Sequence, residues 1–196
     1  MLSLGWIAVT YLLGAVPFGL FVGRIFCGID PRLDGSHNTG STNVARLCGF
    51  RYGVLTLLFD AGKGFLPVYL ASTFSDSTFF LGLVALAAVA GHVYSVFLDW
   101  KGGKAVATTV GAFLALAPGA LLLSCLVFIG VVLASGFVSL GSLALVSALV
   151  LFLILSGQFG LAFFAALIAA LVFYRHADNI QRLAHGTEKS WKKKKN

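Results

Sequence analysis

Residues 34–46 read Asp34-Gly35-Ser36-His37-Asn38-Thr39-Gly40-Ser41-Thr42-Asn43-Val44-Ala45-Arg46, a small, polar, glycine-containing segment in a chain that is otherwise strongly apolar. Glycine lets the backbone turn so that successive N–H groups point at one position, and the serine, threonine and asparagine side chains add short donors. Such a segment is typical of a loop that holds an anion, and phosphate is the expected ligand. The alternative is a plain polar connection between two membrane helices. The length of the segment and its many donors favour the anion site.

The composition is that of a membrane protein. Hydrophobic residues make up 59% of the 196 residues, 11% are charged, and the mean hydropathy is +0.95. Soluble domains are about 45–50% apolar, and this chain has too few polar residues to cover a soluble core. We therefore expect a single polytopic domain over residues 1–196, with a basic cytoplasmic tail from about residue 175.

Apolar runs and their breaks predict an all-α integral membrane protein with seven short transmembrane helices. The predicted spans are 2–22, 53–72, 79–98, 105–116, 118–134, 140–155 and 159–174, and a short helix capped by Thr42 or Asn43 is predicted at 44–47. An even number of spans after Lys104 keeps Lys101, Lys104 and the basic tail on one side, which the positive-inside rule makes cytoplasmic. The N-terminus is then outside. Several spans fall short of the usual ~20 residues, so we expect tilted helices or locally thinned lipid.

The net charge of +7 is concentrated at the ends of the predicted spans and in the C-terminal tail. A nucleic-acid-binding protein would spread such charge over a face, so no nucleic-acid partner is expected. Lys192 to Lys195 are expected to contact anionic lipid headgroups. Ile180, Leu183 and Ala184 share one helical face, which predicts an amphipathic helix on the membrane surface.

The sequence lacks the patterns of metal, disulfide and nucleotide sites. The four histidines have no metal-binding spacing and the seven acidic residues form no carboxylate pair, so neither a metal nor a cofactor is expected. His92 is predicted to be a hydrogen-bonded structural residue. Cys27, Cys48 and Cys125 are isolated and are expected to be small apolar fillers without a disulfide. The GxxxxGK[ST] and GxGxxG patterns of nucleotide sites are absent.

Two further cationic sites accompany the polar segment. Lys63 lies inside an apolar span, where a cation must be paired or face water, and Asp60 lies three residues earlier on the same helical face. An internal ion pair is one alternative, and a cation in a polar cavity is the favoured prediction. Lys101-Gly102-Gly103-Lys104 precedes a helix, whose N-terminus favours anions. Lys101 is expected to be a positive-inside anchor, and Lys104 an anchor or an anion ligand.

Five groups of residues follow one another along nearly the whole chain. They are Gly35-Ser36, Asn38, Gly40, Thr42-Asn43 and Arg46; Asp60, Lys63 and Gly64; Gly91-His92, Phe97 and Lys101 to Lys104; Val138-Ser139-Leu140 and Ser142; and His176, Asn179-Ile180, Arg182-Leu183, Gly186 and Glu188. Together they resemble the bacterial acyl-phosphate:glycerol-3-phosphate acyltransferases (the PlsY family). Gly136-Phe137 departs from the Arg-aromatic pair of many members, which weakens any role for a cation there. His92 and Asp99 do not have the HxxxxD spacing of another acyltransferase group, so the His–Asp base of that group is missing.

The resemblance implies transfer of a fatty acyl group from acyl phosphate to the sn-1 hydroxyl of glycerol 3-phosphate, giving lysophosphatidic acid and phosphate in the first step of phospholipid synthesis. It implies a bacterial inner-membrane enzyme surrounded by membrane lipids, with a cytoplasmic active site and a soluble enzyme that makes acyl phosphate as a partner. The implied catalytic residues are Ser36, Arg46, Lys104, His176 and Asn179. The implied substrate-binding residues are Gly35, Asn38, Gly40, Thr42, Asn43, Lys63, Gly102, Gly103, Ser139, Ser142, Arg182 and Glu188.

Acyl phosphate is already activated, so no covalent enzyme intermediate is required. One phosphate is expected to be held by Ser36, Asn38, Asn43 and Arg46, with Lys63 and Lys104 shared between the two anions. Ser36 has no neighbouring base in the sequence pattern and is expected to be a binding donor, not a nucleophile. A substrate phosphate is the expected proton acceptor, with His176 beside Asn179 as the fallback base.

Two other functions stay open on the sequence alone. A transporter or channel for a small phosphorylated anion would explain Lys63 and the glycine-rich loop, but it needs a polar site on the external side, where the predicted loops carry almost no charge. A membrane scaffold that binds anionic lipid through its tail leaves Lys63 unexplained.

Overall fold

The structure is a computed structural model that describes residues 2–191, with only the backbone of Leu2. Every regular element within that range is helical, which confirms the all-α prediction. The helices are α1 (Leu2–Ala15), α2 (Phe18–Cys27), α3 (Ser41–Cys48), α4 (Phe50–Ser72), α5 (Thr78–Val93), α6 (Val106–Leu116), α7 (Pro118–Ser135), α8 (Val138–Leu155), α9 (Phe159–Arg175) and α10 (Ala177–Ala184). A 3-10 turn at Val96–Leu98 follows α5. The predicted lipid anchor at Lys192 to Lys195 lies outside the described residues.

Within residues 2–191, five helical segments are long and apolar enough to cross a membrane. They are Ser3–Cys27, Phe50–Ser72, Thr78–Leu98, Pro118–Ser135 and Val138–Leu155. The pair α9 and α10, bent by 61°, makes a sixth if it is one span, and the apolar α6 has only 11 residues. An integral membrane fold with several spans is therefore confirmed, whereas seven crossings and the orientation of the termini stay predictions.

The first predicted span is broken between α1 and α2, at Val16 and Pro17. Proline has no N–H and cannot continue the hydrogen-bond ladder, which explains the break. α2 then continues to Cys27 and stops at Gly28, whose φ of 67° only glycine adopts readily. The predicted end of the first span at residue 22 is therefore wrong, and the loop covers residues 28–40.

Two predicted helix starts are also corrected. α3 begins at Ser41 after Gly40, without a side-chain cap, so the predicted cap at Thr42 or Asn43 is wrong. Asn43 is unable to cap because its side chain bonds to the loop backbone. α6 begins at Val106, one residue later than predicted, because Ala105 has a φ of 59° and lies outside the helix.

The chain divides into two compact units, Met1–Leu116 and Ala117–Asn196. In the first unit α1 packs on α5 and α4 packs on α6. A Cβ on Gly14 would overlap the carbonyl oxygen of Ala88, and a Cβ on Gly111 would overlap that of Ala61. Small residues allow such close helix approach in lipid, where packing must replace the hydrophobic effect. A single domain over the whole chain stays a prediction.

In the second unit α8 packs on both α7 and α9. Its glycine, Gly141, faces Val132 and Phe128 of α7, and a Cβ there would crowd both side chains. Leu149 and Leu153 of α8 are fully buried, as is Ile168 of α9. The sequence predicts a helix around Ile180 to Ala184, and α10 is present there and buries Asn179. Its place on the membrane surface stays a prediction.

Cys27 and Cys48 form a disulfide, so the prediction of three unpaired cysteines is wrong. They are the last residues of α2 and α3, and their Cα atoms are 5.9 Å apart, within the range that a disulfide spans. The two positions are 21 residues apart in sequence, and only the return of the chain after the loop brings them together. Cys125 in α7 is free, as expected.

Candidate active site

The polar loop is built around the side chain of Asn43, the third residue of α3, which is 2% exposed. Its Oδ1 accepts the backbone N–H of Ser36 at 2.8 Å. Its Nδ2 donates to the carbonyl oxygens of Pro31, Asp34 and Asn38 at 2.9, 3.1 and 3.0 Å. Because the amide bonds to four backbone groups of the loop, Asn43 determines the path of the chain that precedes α3. A direct contact between Asn43 and phosphate stays a prediction.

Two glycines hold the loop close to its neighbours. Gly35 has a φ of 70° and lies against Asn43 Oδ1, so a side chain at this position would be strained and would crowd that amide. Gly19 of α2 lies against the carbonyl oxygen of Thr39, where a Cβ would overlap it. The loop is therefore attached to α2 on one side and to α3 on the other.

The other predicted ligands of the loop lie near the start of α3. Asn38 Oδ1 accepts the N–H of Gly40 at 2.9 Å, which closes a turn immediately before the helix. Thr42 and Arg46 are four residues apart in α3 and so share one face. Arg46 is exposed, and Ser36 and Thr42 are half-buried. Hydroxyl and amide donors thus lie beside the N-terminus of α3, which is a suitable environment for an anion, and Arg46 follows in the last turn of the helix.

An ion-pair cluster that sequence reasoning missed lies at the start of the loop. Asp30 Oδ2 is 2.9 Å from Arg24 and 2.7 Å from Arg32. The hydrogen bonds from Arg32 outweigh burial and hold the pKa of Asp30 well below its usual range. The same pairing raises the pKa of Arg32. The cluster occupies both guanidinium groups, and the spacing of Asp30 and Arg32 was the signal available in the sequence.

Lys63 forms an internal ion pair, which is one of the two roles that the sequence leaves open for this residue. Its Nζ is 2.7 Å from Asp60 Oδ1 and donates to the carbonyl oxygen of Val16 at 2.8 Å. The side chains of Lys63 and Asp60 are 4% and 3% exposed. Val16 is at the break between α1 and α2, so Lys63 satisfies a carbonyl that the broken helix leaves without its usual partner. Contact of Lys63 with substrate stays a prediction.

The segment Lys101 to Lys104 is attached to the end of α5. The N–H of Gly102 donates to Val93 O and that of Gly103 to His92 O, both at 3.0 Å. Lys101 is exposed and Lys104 is half-buried. His92 is hydrogen-bonded, as expected, because its Nδ1 is 3.2 Å from the hydroxyl of Thr108. The sequence pattern did not identify Thr108, which belongs to the next helix.

In the second unit, the carboxylate of Glu188 accepts hydrogen bonds from three of the predicted site residues. Its Oε1 accepts from Ser139 Oγ at 2.7 Å and from Asn179 Nδ2 at 2.6 Å, and its Oε2 accepts from Arg182 Nε at 2.7 Å. Burial alone would raise the pKa of Glu188, but the three hydrogen bonds together with the Arg182 charge lower it. Ser142 is not in this group, since its hydroxyl donates to Val138 O of its own helix at 2.9 Å.

His176 follows α9 directly and is 2% exposed. Its Nδ1 is 2.7 Å from the carbonyl oxygen of Val172. A carbonyl only accepts hydrogen bonds, so Nδ1 carries the proton and Nε2 of a neutral ring carries the lone pair. This is the tautomer that a general base requires. Asn179 lies three residues later, held by Glu188.

Among residues 2–191, no three histidine, cysteine, aspartate or glutamate side chains lie close enough together to hold a metal ion. In each of the two units, polar donors and cationic side chains lie near the ends of apolar helices. Such a combination defines an integral membrane protein that acts on anionic ligands. A sequence model of the family described as glycerol-3-phosphate acyltransferase matches residues 4–186, and the chain belongs to this family. The resemblance stated from the motifs is thereby confirmed.

The relatives match over the full length of the chain. The glycerol-3-phosphate acyltransferase of Maridesulfovibrio salexigens is 53% identical over 195 residues and is covered completely, as is this chain. That of Desulfovibrio desulfuricans is 55% identical over 196 residues, which cover all of this chain and 88% of the relative.

Two solved structures share the fold. One is a crystal structure of PlsY, described as an integral membrane glycerol 3-phosphate acyltransferase in its glycerol 3-phosphate form. It has a TM-score of 0.94 and 40% identity, and the match covers 98% of this chain and 96% of that one. The second is the lysophosphatidic acid form, with a TM-score of 0.91 and 39% identity.

Proposed function

We propose that this chain transfers a fatty acyl group from acyl phosphate to the sn-1 hydroxyl of glycerol 3-phosphate, releasing phosphate and lysophosphatidic acid. The observation that carries the proposal is the likeness, at 40% identity and a TM-score of 0.94, to an acyltransferase solved in its glycerol 3-phosphate form. The related lysophosphatidic acid form supports the same product. Family membership over residues 4–186 agrees with this activity.

The reaction is a nucleophilic acyl substitution. The hydroxyl oxygen of glycerol 3-phosphate attacks the acyl carbon, the bond from that carbon to the phosphate oxygen breaks, and phosphate leaves with the bonding electron pair. Negative charge develops on the carbonyl oxygen, and one well-placed donor to it is worth roughly 3–4 kcal/mol. Because the mixed anhydride is already activated, the chain needs to bind and orient two anions and to neutralise the developing charge.

The proposed phosphate ligands in the first unit are the donors of the polar loop together with Arg46 and Lys104. The Ser36 hydroxyl serves as a donor, while its backbone N–H is occupied by Asn43. Arg46 lies on the exposed face of α3, four residues after Thr42. Gly102 and Gly103 supply backbone close to Lys104 with no side chain in the way.

The proton of the attacking hydroxyl has two proposed acceptors, a phosphate oxygen of the substrate or Nε2 of His176. The bond from His176 Nδ1 to Val172 O supports the second acceptor, because it leaves the lone pair on Nε2. Replacing His176 by Ala, with Arg46→Ala and Lys104→Ala alongside, separates the two. If His176→Ala lowers kcat by about 10²- to 10⁴-fold with substrate binding intact, the general base is His176. A smaller loss assigns that role to a phosphate oxygen of the substrate.

The chain is further proposed to cross the bacterial inner membrane seven times, with the N-terminus outside and both cationic loops on the cytoplasmic side. Five spans, the bent pair and the short apolar α6 together supply seven segments. Arg24, Arg32, Lys101 and Arg175 then face the cytoplasm, in accord with the positive-inside rule. Acyl phosphate is proposed to come from a soluble enzyme that makes it.

The decisive experiment is an assay of the purified chain with glycerol 3-phosphate and either acyl phosphate or acyl-CoA. Release of inorganic phosphate and formation of lysophosphatidic acid are expected with acyl phosphate. If no phosphate is released, the proposed activity is wrong. Proteoliposomes loaded without acyl donor test the transport alternative, which requires uptake of the phosphorylated anion in the absence of chemistry.

A further inference from the structure

A continuous set of buried polar groups runs through the first unit and ends next to the Lys101 to Lys104 segment. Lys63 bonds to Val16 O and pairs with Asp60, whose Oδ1 is also 3.8 Å from His92 Nδ1. The same nitrogen is hydrogen-bonded to the Thr108 hydroxyl at 3.2 Å. Lys63, Asp60, His92 and Thr108 are each no more than 7% exposed, so water does not supply these partners. We call these four residues the buried network.

The Lys101 to Lys104 segment, which lies against the buried network, is flanked by unusual backbone conformations. Within the described chain, four residues other than glycine have a positive φ, and three of them flank this segment: Asp99, Trp100 and Ala105. A residue with a side chain is unfavourable in this region of φ and stays there only where the surrounding structure enforces it. The surrounding structure must therefore hold the segment in place.

The imidazole of His92 is the support that the structure provides. Gly103 lies directly against the ring, and a Cβ there would overlap Nε2 and approach Cδ2 at 3.1 Å. The backbone oxygens of His92 and Val93 accept the N–H groups of Gly103 and Gly102. The position of the ring thus decides where Gly103 and, next to it, Lys104 can lie. The hydrogen bond with the Thr108 hydroxyl in turn holds the ring in this position.

We infer that His92 and Thr108 are positioning residues. They hold the backbone at Gly103 and thereby place Lys104 for contact with the anionic substrates. The inference rests on the proposed function for its kinetic consequence, but not for the structural coupling itself. His92 is 7% exposed and is enclosed by α4, α6 and Gly103, so it acts through the segment that it supports.

The test compares two adjacent threonines of α6. Thr108 and Thr109 are both fully buried, and each is replaced by the isosteric Val. Thr109 Oγ1 donates to the carbonyl oxygen of Ala105, the residue just before α6. After the change to Val, this carbonyl still accepts the backbone N–H of Thr109 at 2.8 Å. Only Thr108→Val therefore removes a hydrogen bond of the His92 ring, while the two variants carry the same change in shape and polarity.

Two readouts are measured on the full-length protein in detergent. Thr108→Val should raise KM for glycerol 3-phosphate and for acyl phosphate by roughly five- to tenfold, the factor that one ordinary hydrogen bond represents, with kcat changed less than about twofold. Thr109→Val should leave both KM values within about twofold. Hydrogen exchange of the Gly102 and Gly103 amides should be faster in Thr108→Val and unchanged in Thr109→Val.

A conservative series at His92 completes the test. Asn places an amide near the position of Nδ1 and should restore much of the low KM that His92→Ala loses. Equal effects of the two threonine variants, unchanged exchange in Thr108→Val, or no rescue by Asn would each overturn the inference. If exchange responds as expected but the unaltered chain releases no phosphate from acyl phosphate, the positioning role stands and the proposed function fails.

Discussion

Gly64 of α4 lies so close to Thr108 of α6 that a Cβ at position 64 would overlap the threonine carbonyl oxygen. Gly111 makes the reciprocal approach to Ala61 O, so the two helices meet backbone to backbone. Thr108 also bonds to His92, and Lys63 precedes Gly64 in the chain. A backbone-to-backbone helix contact of the first unit thus coincides with its buried network.

Gly64→Ala should lower the stability of the folded protein by about 1–3 kcal/mol, because the methyl group has to push the α4 and α6 backbones apart. Gly62→Ala is the matched control, since a Cβ at position 62 meets nothing within 4 Å. That variant should be neutral or slightly stabilised, as alanine favours helix over glycine. Thermal unfolding in detergent measures both, and equal transitions for the two variants would contradict this packing.

Asn43→Asp should unfold the polar loop although the two side chains have the same shape. The change replaces the Nδ2 donor, which serves Pro31, Asp34 and Asn38, by an oxygen that faces three carbonyls. Leaving these acceptors unsatisfied should cost at least about 3 kcal/mol. Asn38→Asp is the comparison, because it keeps the Oδ1 that accepts from Gly40. Equal losses of stability in the two variants would argue against Asn43 as the organiser of the loop.

Glu188 should make stability depend on pH in the acidic range. Its pKa in the folded chain is below the ordinary value of 4.5, so its interactions are fully present above that pH. They should be lost as the pH falls from about 4.5 through the lower pKa of the folded state. Glu188→Gln should flatten this part of a profile of melting temperature against pH. Asp178→Asn, which alters an exposed acid on α10, should leave the profile unchanged.

Cys27→Ser should lower the free energy of unfolding by about 3 kcal/mol, the chain-entropy value for a loop closed by cysteines 21 residues apart. A thiol reductant should have the same effect on the unaltered chain and none on the variant. Cys125→Ser removes the free cysteine and serves as the control. Reductant sensitivity that persists in Cys27→Ser would exclude this disulfide as its source.

Local patterns predicted well wherever the interaction partners are close in sequence. The breaks at Ala117-Pro118 and at Ser156-Gly157 bound α6, α7, α8 and α9 within a residue or two of the predicted ends, because proline and glycine act on the helix ends next to them. Asp60 and Lys63 were recognised as a possible pair since three residues of helix put them on one face.

Prediction failed where a partner comes from a distant part of the chain. The Cys27–Cys48 disulfide depends on the return of the chain through α3. The hydrogen bond between His92 and Thr108 joins two residues that are 16 positions apart and belong to different helices. Asn43 was expected at a helix cap because asparagine prefers such positions, yet its amide bonds to carbonyls up to 12 residues earlier.

The sequence by itself determined the membrane class, the helical elements, the family and the residue types of the site, because hydrophobicity, helix breaks and motifs are properties of neighbouring residues. Only the tertiary structure decided which of those residues bond to one another: Lys63 to Asp60 and Val16, Asn43 to the loop backbone, and Glu188 to Ser139, Asn179 and Arg182. The physical reason is that a buried polar group takes whichever partner the packed helices bring within about 3 Å, and sequence spacing does not contain that distance.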